Sequence, residues 1–295
     1  MLLGLPIRKI ISSNIGQGAA SRKADRILLA LAIVLAIYLA LAYALAPWLW
    51  ARRETPSALA GKPMTTATSI GIPGDALNVA LEGSRDDVLC ALRLAGWSAA
   101  DPVTLRSGAR IVGSVLARRA YVSAPVSPLF WQDRAQDLAF EKPSGKSPST
   151  RHHVRFWLAS ASDAQGEAYW IGAVTYDRSV GVSHYTGQVT HHIGADIDTE
   201  RDLLTADLAA TGRVAESFEV PGVGPTLLAR NGGGDPYFTD GEIEVSRLRP
   251  GCDNREGPPA VAPNAPALAA KATLFGWIGK AWRNARRLSG GEADD

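Results

Sequence analysis

Between Ile27 and Trp50 runs ILLALAIVLAIYLALAYALAPWLW, a stretch without one charged side chain. As a helix rising about 1.5 Å per residue it reaches ~36 Å, enough to cross a hydrocarbon core of about 30 Å. A segment in lipid must satisfy its backbone internally, and the Leu/Ala/Ile composition supports a helix as far as Pro47. Trp48 and Trp50 fall where an aromatic belt lies, with Arg52 and Arg53 just beyond. Two other readings compete. A cleaved signal peptide finds small-x-small residues at Ala44-Leu45-Ala46, but Pro47 would follow the cut and the apolar run exceeds a typical signal core. A buried core helix is disfavoured because the run, apolar at every angle, would need a large domain around it. The reading is an uncleaved transmembrane helix over 27–50, in contact with membrane lipid.

Charge gives that helix a direction. Arg8, Lys9, Arg22, Lys23 and Arg26 precede it, whereas Arg52, Arg53 and Lys62 follow closely, so a cytoplasmic amino terminus and an exported body are expected. The whole chain carries a net charge of +2. Both ends are basic and the body mildly acidic, which suits termini near anionic lipid and argues against a nucleic-acid partner. Cys90 and Cys252 are the two cysteines, too few for a disulfide framework or a zinc knuckle. They can pair in an oxidising compartment, although Cys90 also reads as a small buried residue of a helix over 86–95.

Taken in order, the chain divides into a basic amino-terminal tail (1–26), the transmembrane helix, a linker (51–70), one domain (71–250), a Pro/Ala-rich linker (251–267), a basic amphipathic helix (268–288) and an acidic tail (289–295). Within the domain, Leu77, Val79 and Leu81 alternate as in a half-buried strand, and Ser84 with Asp87 opens the helix that Gly96 closes. A second helix is expected over 104–117. Strands follow at 129–131, 137–142, 152–159, 169–178 and 188–193, then a helix over 200–210 capped by Thr199 with Asp202, then strands at 214–220, 226–230 and 242–248. Strands outnumber helices and do not alternate regularly with them, so an α+β fold around a mainly antiparallel sheet with flanking helices is expected. The terminal helix places Leu274, Ile278, Ala281, Ala285 and Leu288 on one face and Lys280, Arg283 and Arg287 on another. It suits either a lipid surface, through Leu268 to Leu288, or docking on the protein's own core.

The five histidines fall between residues 152 and 192. Strand alternation sorts them. Val154, Phe156 and Leu158 mark one face of their strand, leaving His153 and Arg155 on the other. Val174 and Tyr176 leave Asp177 opposite, and Val189, His191 and Ile193 leave Thr190 and His192. If the polar faces coincide, His153, Arg155, Asp177 and His192 form a candidate catalytic group on an exposed sheet surface, with His152 and His191 structural. Two imidazoles and a carboxylate can hold a divalent metal, or a His-Asp pair with Arg155 can do acid/base work on an anionic ester. The alternative is a hydrogen-bonded sheet surface with an ordinary Arg155–Asp177 ion pair. No motif names a metal, a cofactor or a reaction. In Asn231 to Gly241, NGGGDPYFTDG, residues Gly232, Gly233, Gly234 and Asp235 are candidate substrate-binding positions, since consecutive glycines can turn N–H groups toward an anion. Such a loop also serves as a plain connection.

RHHVRFW (151–157), YDRSVG (176–181), GQVTHHIGADIDTERD (187–202) and NGGGDPYFTDG (231–241), in this order, resemble the LssY carboxy-terminal domain family. The resemblance covers roughly residues 71–248 and implies a bacterial, membrane-associated, secretion-related protein of the inner membrane and cell envelope. It carries no catalytic role to any residue. The function it leaves open is an accessory or binding module for a lipid-linked substrate or an envelope or secretion partner. The alternative is a hydrolase or transferase acting on a phosphoester of a lipid or glycan carrier.

Overall fold

The computed structural model describes residues 25–45, 58–100, 128–145, 150–161 and 166–263, with helical positions at 269, 273–274, 276–277 and 280–281. The expected helix over 104–117, the aromatic pair Trp48 and Trp50, and most of the terminal segments lie outside these residues. The chain falls into two compact units, Met1–Glu54 and Thr55–Asp295. In the first, α1 spans Asp25–Leu45, 21 residues long and apolar enough to cross a membrane, with none of its apolar window buried against protein. Its last turn, Leu41–Leu45, widens into a π-helix.

The second unit is α+β and mainly antiparallel. Its strands in chain order are β1 (Thr65–Ala67), β2 (Pro73–Ala76), β3 (Val79–Glu82), β4 (Ser98–Ala99), β5 (Phe130–Trp131), β6 (Arg134–Ala135), β7 (Leu138–Pro143), β8 (Arg151–Ser160), β9 (Tyr169–Val182), β10 (Val189–Ile193), β11 (Val214–Pro221), β12 (Thr226–Arg230), β13 (Pro236–Thr239), β14 (Glu242–Leu248) and β15 (Ala260–Val261). Helix α2 is Arg85–Leu94 and α3 is Ile197–Ala210. A nine-stranded sheet runs β15-β11-β14-β3-β9-β8-β7-β4, with β10 paired to the far half of the long β9. A four-stranded sheet runs β2-β1-β5-β6.

β3 lies at the centre of the large sheet, parallel to β14 and antiparallel to β9. It is therefore buried on both faces rather than half-buried as expected. Val79 and Leu81 pack with Val88 and Leu92 of α2 and Leu204 and Leu208 of α3. Leu77 and Ala80 pack on the other side with Leu59, Leu129, Trp131 and Trp157. The order of layers is helices, large sheet, small sheet, and the third layer corrects the expected linker. Leu59 is wholly buried and Thr65–Ala67 is a strand, so from Ala58 onward this stretch is part of the domain. Its Pro, Gly and Ser content resembles a linker, but MTTAT is also what a β-strand favours.

Local signals explain the helices. The Ser84 hydroxyl accepts from Asp87 N–H as expected. For α3 the cap is Asp196, which accepts from Thr199 N–H, so the helix begins three residues before the expected Glu200. The carboxy-terminal loop is tied to α2 twice. Cys90 and Cys252 form a disulfide, with Cα atoms 5.8 Å apart. Arg213, fully buried, donates to Asp87 Oδ1 at 2.8 Å and to the Asn254 carbonyl at 3.0 Å.

One cross-strand pair works against the fold. Glu219 and Glu244 stand directly opposite each other in β11 and β14. Burial and the charge of Glu219 push the Glu244 carboxyl up to about 7 from 4.5. A carboxyl whose folded pKa lies above its unfolded value takes up a proton on folding, so stability falls as pH rises from about 4.5 through 7. Glu244→Gln should then stabilise the chain by about 1–2 kcal/mol at pH 8, discounting for partial exposure, with the gain vanishing as pH falls below about 4.5. Thermal unfolding across pH checks this; a gain independent of pH contradicts it.

Candidate functional site

In β8, Arg151, His153 and Arg155 follow one another at every second residue, on the face opposite Val154 and Phe156. Their face is the one that the small sheet covers, so these polar side chains are buried, not exposed as expected. His153 is 3% exposed, Arg155 5% and Asp177 1%. Arg151 was missed in the sequence because the strand begins one residue earlier than its apolar pattern suggests.

Burial at this depth forces every charge to find a partner. Arg151 donates through Nε to Asp177 Oδ2 at 2.9 Å and through Nη1 to Glu141 Oε2 at 2.5 Å. His153 Nδ1 lies 3.1 Å from Asp177 Oδ1. Its Nε2 lies 2.8 Å from Arg155 Nη1 and 3.0 Å from Thr175 Oγ1. Arg155 donates to Asp75 Oδ2 at 3.1 Å, so the expected Arg155–Asp177 pair is replaced by Arg151–Asp177 and Arg155–Asp75. Burial opposes ionisation of Asp177, but the charges of His153, His191 and Arg151 outweigh it and hold the carboxyl well below its ordinary range. For Arg151, burial is likewise outweighed by Asp177 and Glu141 and the pKa rises, whereas burial prevails at Arg155 and lowers it.

These side chains form one wall of a cavity of about 340 Å³. Thr68, Ser69 and Ile70, from the stretch expected to be a linker, form another wall with Ile72 and Asp75 just beyond it, and Asn231, Gly232 and Gly233 close a third side. Two lining residues stand out because they are apolar and exposed: Ile70 at 69% and Val189 at 78%. Other exposed lining residues, Ser69, Thr186 and Gln188, are polar, so a charged floor opens through a mixed mouth that carries two apolar side chains.

The third strand overturns part of the expected grouping. His191, read as structural, lines the cavity near Asp177, while His192 does not line it. Val189, His191 and Ile193 do share one face of β10 as expected, but Ile193 stands opposite Asp177 and that face lines the cavity; the extra residue of the bulge lies in β9, between Asp177 and Ser179, and leaves the alternation along β10 intact. The Nδ1 of His192 instead meets Asp235 Oδ1 at 2.6 Å. Of the expected catalytic group, His153, Arg155 and Asp177 converge and His192 lies apart. His152 is outside the cavity as expected, with Nδ1 2.7 Å from Glu200 Oε2.

The glycine loop is not an anion cradle. Asn231 Oδ1 accepts from Gly233 N–H and Asp235 N–H, and the Asn231 carbonyl accepts from Gly234 N–H. Those amides point inward, so Gly233, Gly234 and Asp235 offer no N–H to a ligand. Gly232 and Gly233 still line the cavity, where their lack of side chains leaves room.

Chemically, the arrangement is a wall of buried ion pairs. His153 is engaged through Nε2, while its Nδ1 and Asp177 Oδ1 face each other at 3.1 Å without a well-formed hydrogen bond, and the imidazole of His191 faces the cavity with no hydrogen-bond partner among the described residues. A protein-family model described as LssY C-terminus matches residues 57–243. Its start agrees with the buried Leu59 and includes the third layer. Comparison with curated proteins gives no match, and neither does comparison with solved structures.

Proposed function

This chain belongs to the LssY C-terminus family, and we propose that it is a membrane-anchored module that binds the polar headgroup of an amphiphile, such as a lipid-linked substrate. The observation that carries this reading is the cavity with a charged floor and two exposed apolar side chains, Ile70 and Val189, at its mouth. A headgroup would meet Arg151, Arg155 and His191, and the first methylenes of its tail would rest on the mouth. α1 is the uncleaved anchor that brings the domain to the membrane, and the partly described helix near 269–281, with Leu274 61% and Trp277 75% exposed, is a second lipid contact. The body faces an oxidising compartment, a reading supported by the Cys90–Cys252 disulfide and the basic residues before α1. That corresponds to the inner membrane of a bacterium with the domain in the envelope, where a secretion partner would be met.

The test is a double variant at the mouth. Ile70→Asp with Val189→Asp alters exposed positions, so thermal unfolding should stay within about 0.5 kcal/mol of wild type. Binding of phospholipid dispersed in detergent, followed by tryptophan fluorescence of the full chain, should weaken at least about tenfold. Equal binding by both proteins counts against the reading.

A second reading, hydrolysis or transfer at a phosphoester, is favoured by one observation: the unengaged His191 imidazole beside Asp177, with Arg155 in the same wall. It requires phosphate release from a lipid phosphate by the full chain, abolished by His191→Ala. Binding without release leaves the module reading standing alone.

A further inference from the structure

Asp235 is 1% exposed, yet its ion pairs among the described residues are with two imidazoles and no lysine or arginine. A buried carboxylate without a permanent cation is costly, because ionised groups lose far more hydration than imidazole contacts return. The backbone holds the carboxylate and the turn that carries His184. Asp235 Oδ2 accepts the Ile193 N–H at 3.2 Å, which fixes the plane of the carboxylate. The His184 N–H donates to the Gly233 carbonyl at 2.8 Å, pinning the turn after β9 to the glycine loop. Gly234, at a left-handed φ of +89°, would drive a Cβ to 2.7 Å from the His184 Cβ, so only glycine lets that histidine approach.

We propose that His184, His192 and Asp235 bind a divalent transition metal ion, zinc by preference, at the rim of the cavity. One ligating atom from each residue lies within 4.8 Å of the others. His192 Nδ1 stands 2.6 Å and His184 Nε2 3.9 Å from Asp235 Oδ1. Those separations bracket the about 3.3 Å between ligands of a tetrahedral zinc bound at about 2.0–2.1 Å. The ion would take the place of the proton shared by His192 and Asp235, and its charge would answer the buried carboxylate. Two imidazoles and one carboxylate suit zinc better than calcium or magnesium, which prefer oxygen alone. Three protein ligands leave a fourth position open, on the side where the His184 side chain is 60% exposed. The Ile193 N–H plays the orienting part that supporting hydrogen bonds play in metal centres. The site is separate from the Asp177 wall and does not depend on what fills the cavity, although His191 and Ile193 flank His192 in the chain and line that cavity.

Calorimetric titration of the untagged full chain in detergent, stripped with a chelator, against zinc chloride tests it. One zinc per chain and a rise in the thermal midpoint on zinc addition are expected. His184→Ala changes a mostly exposed side chain, so its unfolding without zinc should match wild type, while its zinc affinity drops at least about tenfold. Asp235→Asn should lose the zinc-dependent rise in midpoint, and His191→Ala should keep it. The proposal is overturned if the wild-type chain shows no saturable zinc site, if His184→Ala binds zinc as wild type does, or if His191→Ala alone loses it.

Discussion

Asp177→Ala is expected to cost about 3–5 kcal/mol of stability, the usual price of stranding a buried charge. The carboxylate is the shared partner of Arg151 and His153, and both of those are themselves buried. Deleting it leaves Arg151 with Glu141 and leaves His153 Nδ1 facing a void where Asp177 Oδ1 lay at 3.1 Å. For a domain of this size such a loss lowers the unfolding midpoint by roughly 6–20 °C. Had these residues been an exposed polar face, the change would have been within about 0.5 kcal/mol. The same carboxylate sets an acid limit. Its folded pKa is depressed below 3.8, so its contribution is present above that value and is lost as pH falls below it. Thermal unfolding of the full chain in detergent at pH 7 and pH 3 measures both effects, and the gap between Asp177→Ala and wild type should narrow at the lower pH.

The second large effect is expected on opening the Cys90–Cys252 disulfide, which spans 162 residues. Closing so long a loop restricts the unfolded chain, and Cys90→Ser with Cys252→Ser should cost about 2–5 kcal/mol. Arg213 limits the damage, since its hydrogen bonds to Asp87 and the Asn254 carbonyl keep the carboxy-terminal loop on α2 without the covalent link. Removing both ties should therefore cost more than the sum of the two changes made singly. Unfolding midpoints of wild-type, reduced and variant chains decide it; a reduced chain as stable as the oxidised one contradicts the assignment.

Alternation along β8 and β9 was enough to place His153, Arg155 and Asp177 together, because the pleat has a period of two and Val154, Phe156 and Val174 mark its helix-facing side. Three things were not legible. The cover over that face is made by Thr65–Ala67, a stretch that looks like a linker unless its long-range pairing with Phe130 is known, and by Asp75 beyond it. The face of β10 that carries Val189, His191 and Ile193 lines the cavity, and its apolar residues make it read as a core face in VTHHI. Finally, β14 lies beside β3 in parallel, a pairing between distant segments that no local pattern encodes. Burial of the site follows from the first of these, and the separate His184, His192 and Asp235 cluster from the second.

The account turns on whether the charged cavity takes an amphiphile at the membrane. Native mass spectrometry of the full chain, extracted in mild detergent from the membranes that hold it, measures this directly. One lipid-sized adduct per chain is expected on the wild-type protein and should be absent from Ile70→Asp with Val189→Asp. A wild-type chain that carries no adduct under conditions where the folded mass survives would contradict the account, as would an adduct that the double variant retains in full.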